Sequence, residues 1–161
     1  MYSSPLQRAW RTAEIVAGTH GLEPLARPEL TDVDHGEWSG MPRTEVADRW
    51  PELYREWHEH PARVRFPGGE SLLEVRDRAL SFLALARQRH AEGNLLVITH
   101  GEVLQLLLAH LLEMQPDQMW SLPRENCALS IVADHDVPLI MAINDSCHLE
   151  GVRSTLQAQV R

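Results

Sequence analysis

A histidine lies where a strand is predicted to end and a helix to begin. His100 follows the apolar run Leu95–Thr99, which predicts a strand buried on both faces, and precedes Glu102–Leu112, which predicts a helix. Ligands of open α/β sheets gather beyond the carboxyl ends of the strands, and helix N-termini favour anions. Gly101 would let the backbone approach such an anion closely, and His100 could donate to a phosphate oxygen. Taken alone, His100 fits a capping or packing role equally well.

Arg8 is a second cation at the start of a predicted helix. Ser4 is a good N-cap and Pro5 suits the first helical position, so the pattern predicts a helix from Ser4 to about Gly18, with Gly18 or Gly21 near its end. A cation in the first turn opposes the helix dipole unless an anion lies nearby. Arg8 and His100 together therefore favour an anion site.

The composition is typical of one globular domain. The 161 residues are 43% hydrophobic and 24% charged, with a formal net charge of −8. That charge disfavours nucleic acid or an anionic membrane as a partner, so an anion site would be a local basic pocket. Cys127 and Cys147 are too few for a disulfide framework, and we expect both to be reduced. We expect a cytoplasmic protein, because no membrane-spanning run or signal peptide is apparent.

The remaining patterns predict an α/β domain with a mainly parallel sheet. Ser71 and Glu74 form a capping box that opens a helix to about His90. Other predicted elements are an extended segment over Leu22–Leu30, a loop over 31–40, an outer helical pair or lid over Met41–His60 broken at Pro51, two strands joined by a turn at 134–136, and a polar tail from Ser146.

Four segments in order resemble the histidine phosphatase superfamily, also called the phosphoglycerate mutase-like family. They are "YSSPLQRAWRTA", "LTDVDHGEWSG", "PGGES" and "VITHGEV". The matching residues of the first three are Ser4, Pro5, Leu6, Arg8, Ala9, Thr12 and Ala13, then Leu30, Gly36, Trp38 and Gly40, then Pro67, Gly69, Glu70 and Ser71. The resemblance spans nearly the whole chain and implies a phosphoglycerate mutase-like fold.

The resemblance also implies roles for individual residues. Arg8 would clamp the phosphate through its guanidinium fork, and His100 would be the second histidine of the phosphate pocket. Asp32 lies where the family usually carries a general-acid glutamate, so it would protonate the leaving oxygen and later activate water. We add Ser4 and Gly101 as substrate-binding residues. No metal or cofactor is implied.

Other charged residues have more ordinary interpretations. The acidic loop residues Asp34 and Glu37 are alternatives to Asp32, which itself could be only a turn residue. His58 and His60 do not share a helix face, so we expect no metal there. Arg63 and Arg65 could line the pocket rim, although an exposed-loop role is simpler. Residues 41–67 would be a lid or substrate-specificity insertion within the single domain, 1–161.

One defining family element is absent from the sequence. The resemblance implies an N-terminal strand ending in Arg-His-Gly, whose histidine is the nucleophile, and no Arg-His-Gly occurs in these 161 residues. Three explanations are open: a misassigned start, which we favour, a real truncation, or a non-catalytic descendant that binds phosphorylated ligands. Without that strand, an edge of the sheet would be unpaired, and exchange of strands in a homodimer would be one remedy.

The sequence therefore predicts a phosphomonoester phosphatase of the phosphohistidine type that acts on a small phosphorylated metabolite. We expect the 161-residue chain to turn over little substrate, because the covalent step lacks its nucleophile. The alternatives are phosphoryl transfer of the phosphoglycerate mutase type, and a phosphate-binding remnant without catalysis.

Overall fold

The computed structural model describes residues 1–149, which divide into two compact units. The first unit spans Met1–Ser121 and contains every residue of the predicted anion site. The second begins at Leu122. The predicted α/β fold class is confirmed: helices and strands alternate along the chain, and the first unit contains a parallel sheet.

The sheet of the first unit has three short parallel strands. They are β1 (Tyr2–Ser3), β2 (Leu25–Ala26) and β3 (Val97–Ile98), in the order β2-β1-β3. Backbone hydrogen bonds extend the pairing beyond the two-residue strands, for example from Ser4 N–H to the Ile98 carbonyl at 2.8 Å. Ser4 therefore lies directly beside the carboxyl end of β3.

The prediction of a strand buried on both faces at Leu95–Thr99 is wrong. β3 covers only Val97–Ile98, both half-buried, and Leu95 is 40% exposed. In the described part of the unit, β3 pairs with β1 alone and so lies at an edge of the sheet. The apolar composition of residues 95–99 is therefore not a sign that this strand is buried on both faces.

The first helix begins later than its sequence predicts. Helix α1 spans Gln7–His20, with Leu6 rather than Ser4 at the N-cap position. Ser4 instead ends the first strand, because its N–H completes the ladder to β3. The predicted end is confirmed at Gly21, the C-cap, whose φ of 64° suits glycine. Three buried alanines form the helix's inner face: Ala9, Ala13 and Ala17.

Four further helices complete the first unit. The predicted outer pair is confirmed as α2 (Arg43–Arg49) and α3 (Pro51–Glu59), and the capping box of Ser71 and Glu74 is confirmed at the start of α4 (Leu72–Arg89). Helix α5 (Gly101–Leu111) follows His100, as expected. Its buried side chains join the main hydrophobic core, which also contains residues from α2, α3 and α4. Short 3-10 turns cover Pro28–Leu30, Gly36–Trp38, Pro61–Arg63 and Pro116–Ser121.

The second unit contains the predicted pair of strands. β4 (Leu129–Ala133) and β5 (Leu139–Asp145) pair antiparallel, with the expected turn between them. A 3-10 turn over Cys147–Leu149 follows, and the predicted polar tail beyond it lies outside the described residues. Among residues 1–149 no helix combines the length and apolar character needed to cross a membrane.

Candidate active site

A serine and a histidine meet at the carboxyl ends of two adjacent strands. Ser4 Oγ lies 2.8 Å from His100 Nε2, although the two residues are 96 positions apart in the chain. Both are buried, and the Ser4 hydroxyl also accepts from the Leu6 N–H at 3.3 Å. Parallel strands end at a common edge of their sheet, so the register of β1 and β3 dictates this meeting.

Asp32 joins this pair from the loop after the first 3-10 turn. Its Oδ2 lies 2.5 Å from a guanidinium nitrogen of Arg8 and 3.5 Å from His100 Nδ1. Its other carboxylate oxygen accepts from the Val33 N–H at 3.0 Å. The Arg8 side chain is 62% exposed and that of Asp32 is 25% exposed. The cation therefore faces solvent while the carboxylate lies deeper, between Arg8 and His100.

The surroundings of His100 favour its neutral form. Burial is the main effect and lowers its pKa below 6.5; the Asp32 carboxylate raises this pKa, and the Arg8 guanidinium lowers it. A neutral imidazole has one N–H donor and one acceptor. With the proton on Nδ1, the Nδ1–H group faces Asp32, and Nε2 accepts a hydrogen bond from the Ser4 hydroxyl. A single chain of hydrogen-bonding groups then runs from Leu6 through Ser4 and His100 towards Asp32.

A largely buried arginine organises the backbone around Asp32. Arg78 on α4 donates to the backbone carbonyls of Glu29, Thr31 and Asp32 at 2.8, 2.6 and 3.0 Å. The same guanidinium also bonds both carboxylate oxygens of Glu70, at 2.9 and 3.0 Å. A planar fork of donors suits such a set of acceptors. Arg78 on helix α4 therefore holds the carbonyls at and just before Asp32. We call residues 31–35, the loop that carries Asp32 between two 3-10 turns, the acid loop.

A tight turn packs against the same loop. The Glu37 N–H donates to the Pro67 carbonyl at 2.8 Å, and the Glu70 N–H donates to the Asp34 carbonyl at 2.9 Å. Gly36 has a φ of +51°, and a Cβ there would collide with the Pro67 carbonyl oxygen. Two of the glycines that matched the family pattern, Gly36 and Gly69, are therefore required by close backbone approach.

The structure brings together Arg8, Asp32, His100 and Ser4, and places Gly101 at the first position of α5. Asp34 does not join them, because its carboxylate accepts from the Gly36 N–H instead. Glu37 is exposed in the 3-10 turn over Gly36–Trp38.

The two arginines considered for the pocket rim each pair with an acidic side chain outside the site. Arg63 lies 3.7 Å from Glu56, and Arg65 pairs with Glu74. Among residues 1–149 no cluster of three or more His, Cys, Asp or Glu side chains is arranged to hold a metal ion.

No sequence pattern predicted the role of Arg78 or its bonds to Glu70. Glu70 matches the family only as part of the "PGGES" turn. Arg78 looks like an ordinary charged residue of a helix, and no local pattern reveals its five acceptors.

Comparison of the sequence with known proteins identifies one family. Residues 1–146 match the model of the histidine phosphatase superfamily, branch 1. Phosphoserine phosphatase 1 of Hydrogenobacter thermophilus is 35% identical over 150 residues, which are 92% of this chain and 71% of that protein.

Solved structures share the fold. That of Bacillus stearothermophilus YhfR is 27% identical, with a TM-score of 0.86 over 92% of this chain and 74% of that one. A mycobacterial glucosyl-3-phosphoglycerate phosphatase in complex with inorganic phosphate has a TM-score of 0.82 at 23% identity, over 91% of this chain and 76% of that one.

Proposed function

This chain belongs to the histidine phosphatase superfamily, and on that premise we propose that Arg8 and His100 bind the phosphoryl group of a small phosphomonoester, while the Ser4 hydroxyl holds the His100 ring in place. The activity we propose for the fold is that of a phosphomonoester phosphatase. A relative named as a phosphoserine phosphatase supports it. The geometry also supports it: the exposed guanidinium of Arg8 and the buried imidazole of His100 lie on either side of the Asp32 carboxylate.

The single observation that carries the proposal is this arrangement around Asp32. Arg8 is a cation at the start of a helix and faces solvent, so its guanidinium is available to an incoming anion. His100 is buried and presents one N–H donor when neutral. A phosphoryl group between them would meet donors from two different elements, α1 and the end of β3.

Asp32 is the group we propose as general acid and base. Its Oδ2 lies between the two proposed phosphate ligands. With the nucleophilic histidine that the resemblance implies, protonated Asp32 would donate a proton to the ester oxygen as the phosphoryl group passes from that oxygen to the histidine nitrogen. The Asp32 carboxylate would then take a proton from the water that displaces the histidine from phosphorus. Arg8 would exchange its bond with Asp32 for bonds to phosphate oxygens, which frees the carboxyl group for that role.

The covalent step needs a nucleophile, which the resemblance assigns to an Arg-His-Gly histidine that these 161 residues do not contain. His100 bonds Ser4 and faces Asp32, and we assign it to the phosphate cage. We therefore expect the 161-residue chain to bind phosphate and to hydrolyse phosphomonoesters slowly or not at all. Phosphate binding without catalysis is the second candidate function, and the absence of that motif favours it for this chain.

Calorimetric titration with inorganic phosphate tests the binding site. Arg8→Gln should weaken binding about tenfold or more, because it removes a charge-assisted contact. Arg11→Gln is the matched control: it removes a cation from the same helix whose partner is Glu14, and phosphate affinity should stay unchanged. Equal affinity for the unmodified chain and the Arg8→Gln variant would contradict the proposed site.

Hydrolysis of p-nitrophenyl phosphate tests the expected lack of turnover. We expect no release of nitrophenolate above background from the 161-residue chain. Fast hydrolysis that is lost in a His100→Gln variant, while phosphate still binds, would instead assign the nucleophile to His100.

A further inference from the structure

Aromatic side chains surround a cavity next to the acid loop. The aromatic cluster comprises His35, Trp38, Trp50, Tyr54, Trp57, Phe66 and Trp120, in edge-to-face or tilted contact. Typical ring centroid separations are 5.1 Å for Trp38 and Phe66 and 5.7 Å for Trp38 and Trp57. Between several of these rings is a cavity of about 180 Å³ that opens to solvent. Its lining includes His35, Trp38, Ser39, Arg43, Tyr54 and Trp57.

The cavity differs from a packing defect in its chemistry. Protein interiors are close-packed, and voids within them are usually lined by apolar groups. This one has a cation, Arg43, and the hydroxyl of Ser39 in its wall. A group that enters this cavity would therefore meet a charge and a hydroxyl as well as aromatic surface.

The cavity also lies close to the proposed acid. His35, in its wall, follows Asp32 by three residues, so their Cα atoms are at most about 11 Å apart. The intervening backbone is held in place by Glu70, which accepts from the Asp34 N–H at 3.1 Å. The cavity wall and the proposed acid therefore belong to one short stretch of backbone that Glu70 anchors.

We propose that this cavity holds the leaving group of the substrate, and that this group is a planar ring bearing a hydrogen-bond acceptor. The inference rests on the proposed phosphate site and names the class of ester that it takes. A cavity of about 150 Å³ is enough for benzene in a protein interior, so about 180 Å³ fits one six-membered ring. Edge-to-face contacts with Trp38 and Trp57 favour a ring over an aliphatic chain. The Arg43 guanidinium in the wall favours an acceptor on that ring, such as a carboxylate.

Phosphonates with a common head group test the proposal without hydrolysis. Calorimetry would compare inorganic phosphate, methylphosphonate, phenylphosphonate and 4-carboxyphenylphosphonate. We expect phenylphosphonate to bind about tenfold more tightly than methylphosphonate, through ring contacts and burial of apolar surface. The carboxyphenyl compound should bind more tightly again.

Two variants test whether the gain in affinity for phenylphosphonate comes from the cavity. Ser39→Phe places a ring at the exposed Ser39, so it should reduce the affinity for phenylphosphonate to that for methylphosphonate without changing the latter. Arg43→Gln should remove only the additional preference for the carboxylate. Arg49→Gln is its control, since Arg49 lies at the other end of α2 and pairs with Glu45.

Tryptophan fluorescence gives an independent readout of ring binding. Trp10 is the only one of the five tryptophans outside the aromatic cluster, so a Trp10→Phe variant reports on the cluster alone. Phenylphosphonate should change its emission, and methylphosphonate should change it much less.

The outcomes separate this inference from the proposed function. Equal affinities for methyl- and phenylphosphonate, with phosphate bound, would overturn the ring site and leave the phosphate site standing. Failure of phosphate and methylphosphonate to bind would overturn the proposed function. Benzoate, which carries a ring and an acceptor but no phosphoryl group, then decides the cavity alone: a fluorescence change in the Trp10→Phe variant supports it, and none overturns it.

Discussion

His100 and Asp32 face each other across 3.5 Å, yet the protein positions them by different means. His100 stands at the end of a parallel strand, where backbone pairing between β1 and β3 places it beside Ser4. Asp32 stands in a loop without regular pairing, where Arg78 and Glu70 hold the surrounding carbonyls and N–H groups. One partner is positioned by a backbone ladder and the other by side chains from helix α4 and from the turn that precedes it.

The difference shows that a loop can be more firmly tied than a strand. Each strand of this sheet is two residues long, and β3 has one neighbour among the described residues. The acid loop is bonded to α4 by a guanidinium with five acceptors, and Thr99 also donates to the Leu30 carbonyl at 2.9 Å. Regularity of the backbone is therefore a poor guide to which group of this site is held more rigidly.

Replacing Arg78 should break the loop side of the comparison most severely. Arg78→Met leaves the Glu70 carboxylate uncompensated and three carbonyls without their donor, and should lower the free energy of unfolding by about 3 kcal/mol. Urea titration measures this change. Arg76→Met, on the same helix but paired with Asp77 alone, should cost less than about 1 kcal/mol. Equal losses for the two variants would mean that Arg78 does not hold the loop.

A methyl group at Gly36 should separate the loop from the turn against which it packs. Gly36→Ala adds a Cβ at a φ of +51° that collides with the Pro67 carbonyl oxygen, so it should cost about 2 kcal/mol. Thermal or urea unfolding checks the value. The matched control is Gly18→Ala, where a Cβ meets nothing within 4 Å inside α1 and should stabilise by up to about 1 kcal/mol. The same sign of change in both variants would contradict this account.

His100, the group that the strand positions, should make the stability of the protein depend slightly on pH. Burial lowers the pKa of His100 in the folded protein below 6.5, so between 6.5 and that lower value the unfolded chain binds more protons. Stability is therefore fully present above pH 6.5 and is lost as the pH falls through this window. We expect a loss below about 1 kcal/mol between pH 7 and pH 5.5, measured by urea unfolding.

Substitution identifies the source of that slope. His100→Gln should flatten it, because glutamine takes up no proton. His58 contributes in the same direction, since burial and then the Arg43 charge lower its pKa, so His58→Gln should remove a separate part. An unchanged slope in the His100→Gln variant would contradict the assignment to His100.

Patterns of neighbouring residues predicted most of the helices correctly. The capping box at Ser71 and Glu74, the Pro51 break between α2 and α3, and the Gly21 C-cap all act within a few residues. The family resemblance identified Arg8, Asp32 and His100 as candidates before any geometry was known. These features depend on local chemistry or on a conserved order of short segments, and both are visible in a linear sequence.

Two expectations failed where distant pairing overrides local preference. Ser4 has the chemistry of an N-cap, yet its N–H bonds the Ile98 carbonyl and its hydroxyl bonds His100, so α1 begins at Gln7 instead. The apolar run before His100 suggested two-sided burial, although β3 lies at an edge. In both cases the outcome depends on which other elements pair with the segment, and no local pattern specifies that.

The sequence by itself determined which residues could bind a phosphate and which family the chain resembles, because residue chemistry and motif order do not depend on folding. Only the tertiary structure decided that Asp32, and not Asp34 or Glu37, meets Arg8 and His100. It also decided that Arg78 holds the backbone around Asp32, from 46 positions away in the chain. The physical reason is that a hydrogen bond depends on distance and direction in space, and chain folding brings these groups into that geometry regardless of their separation in sequence.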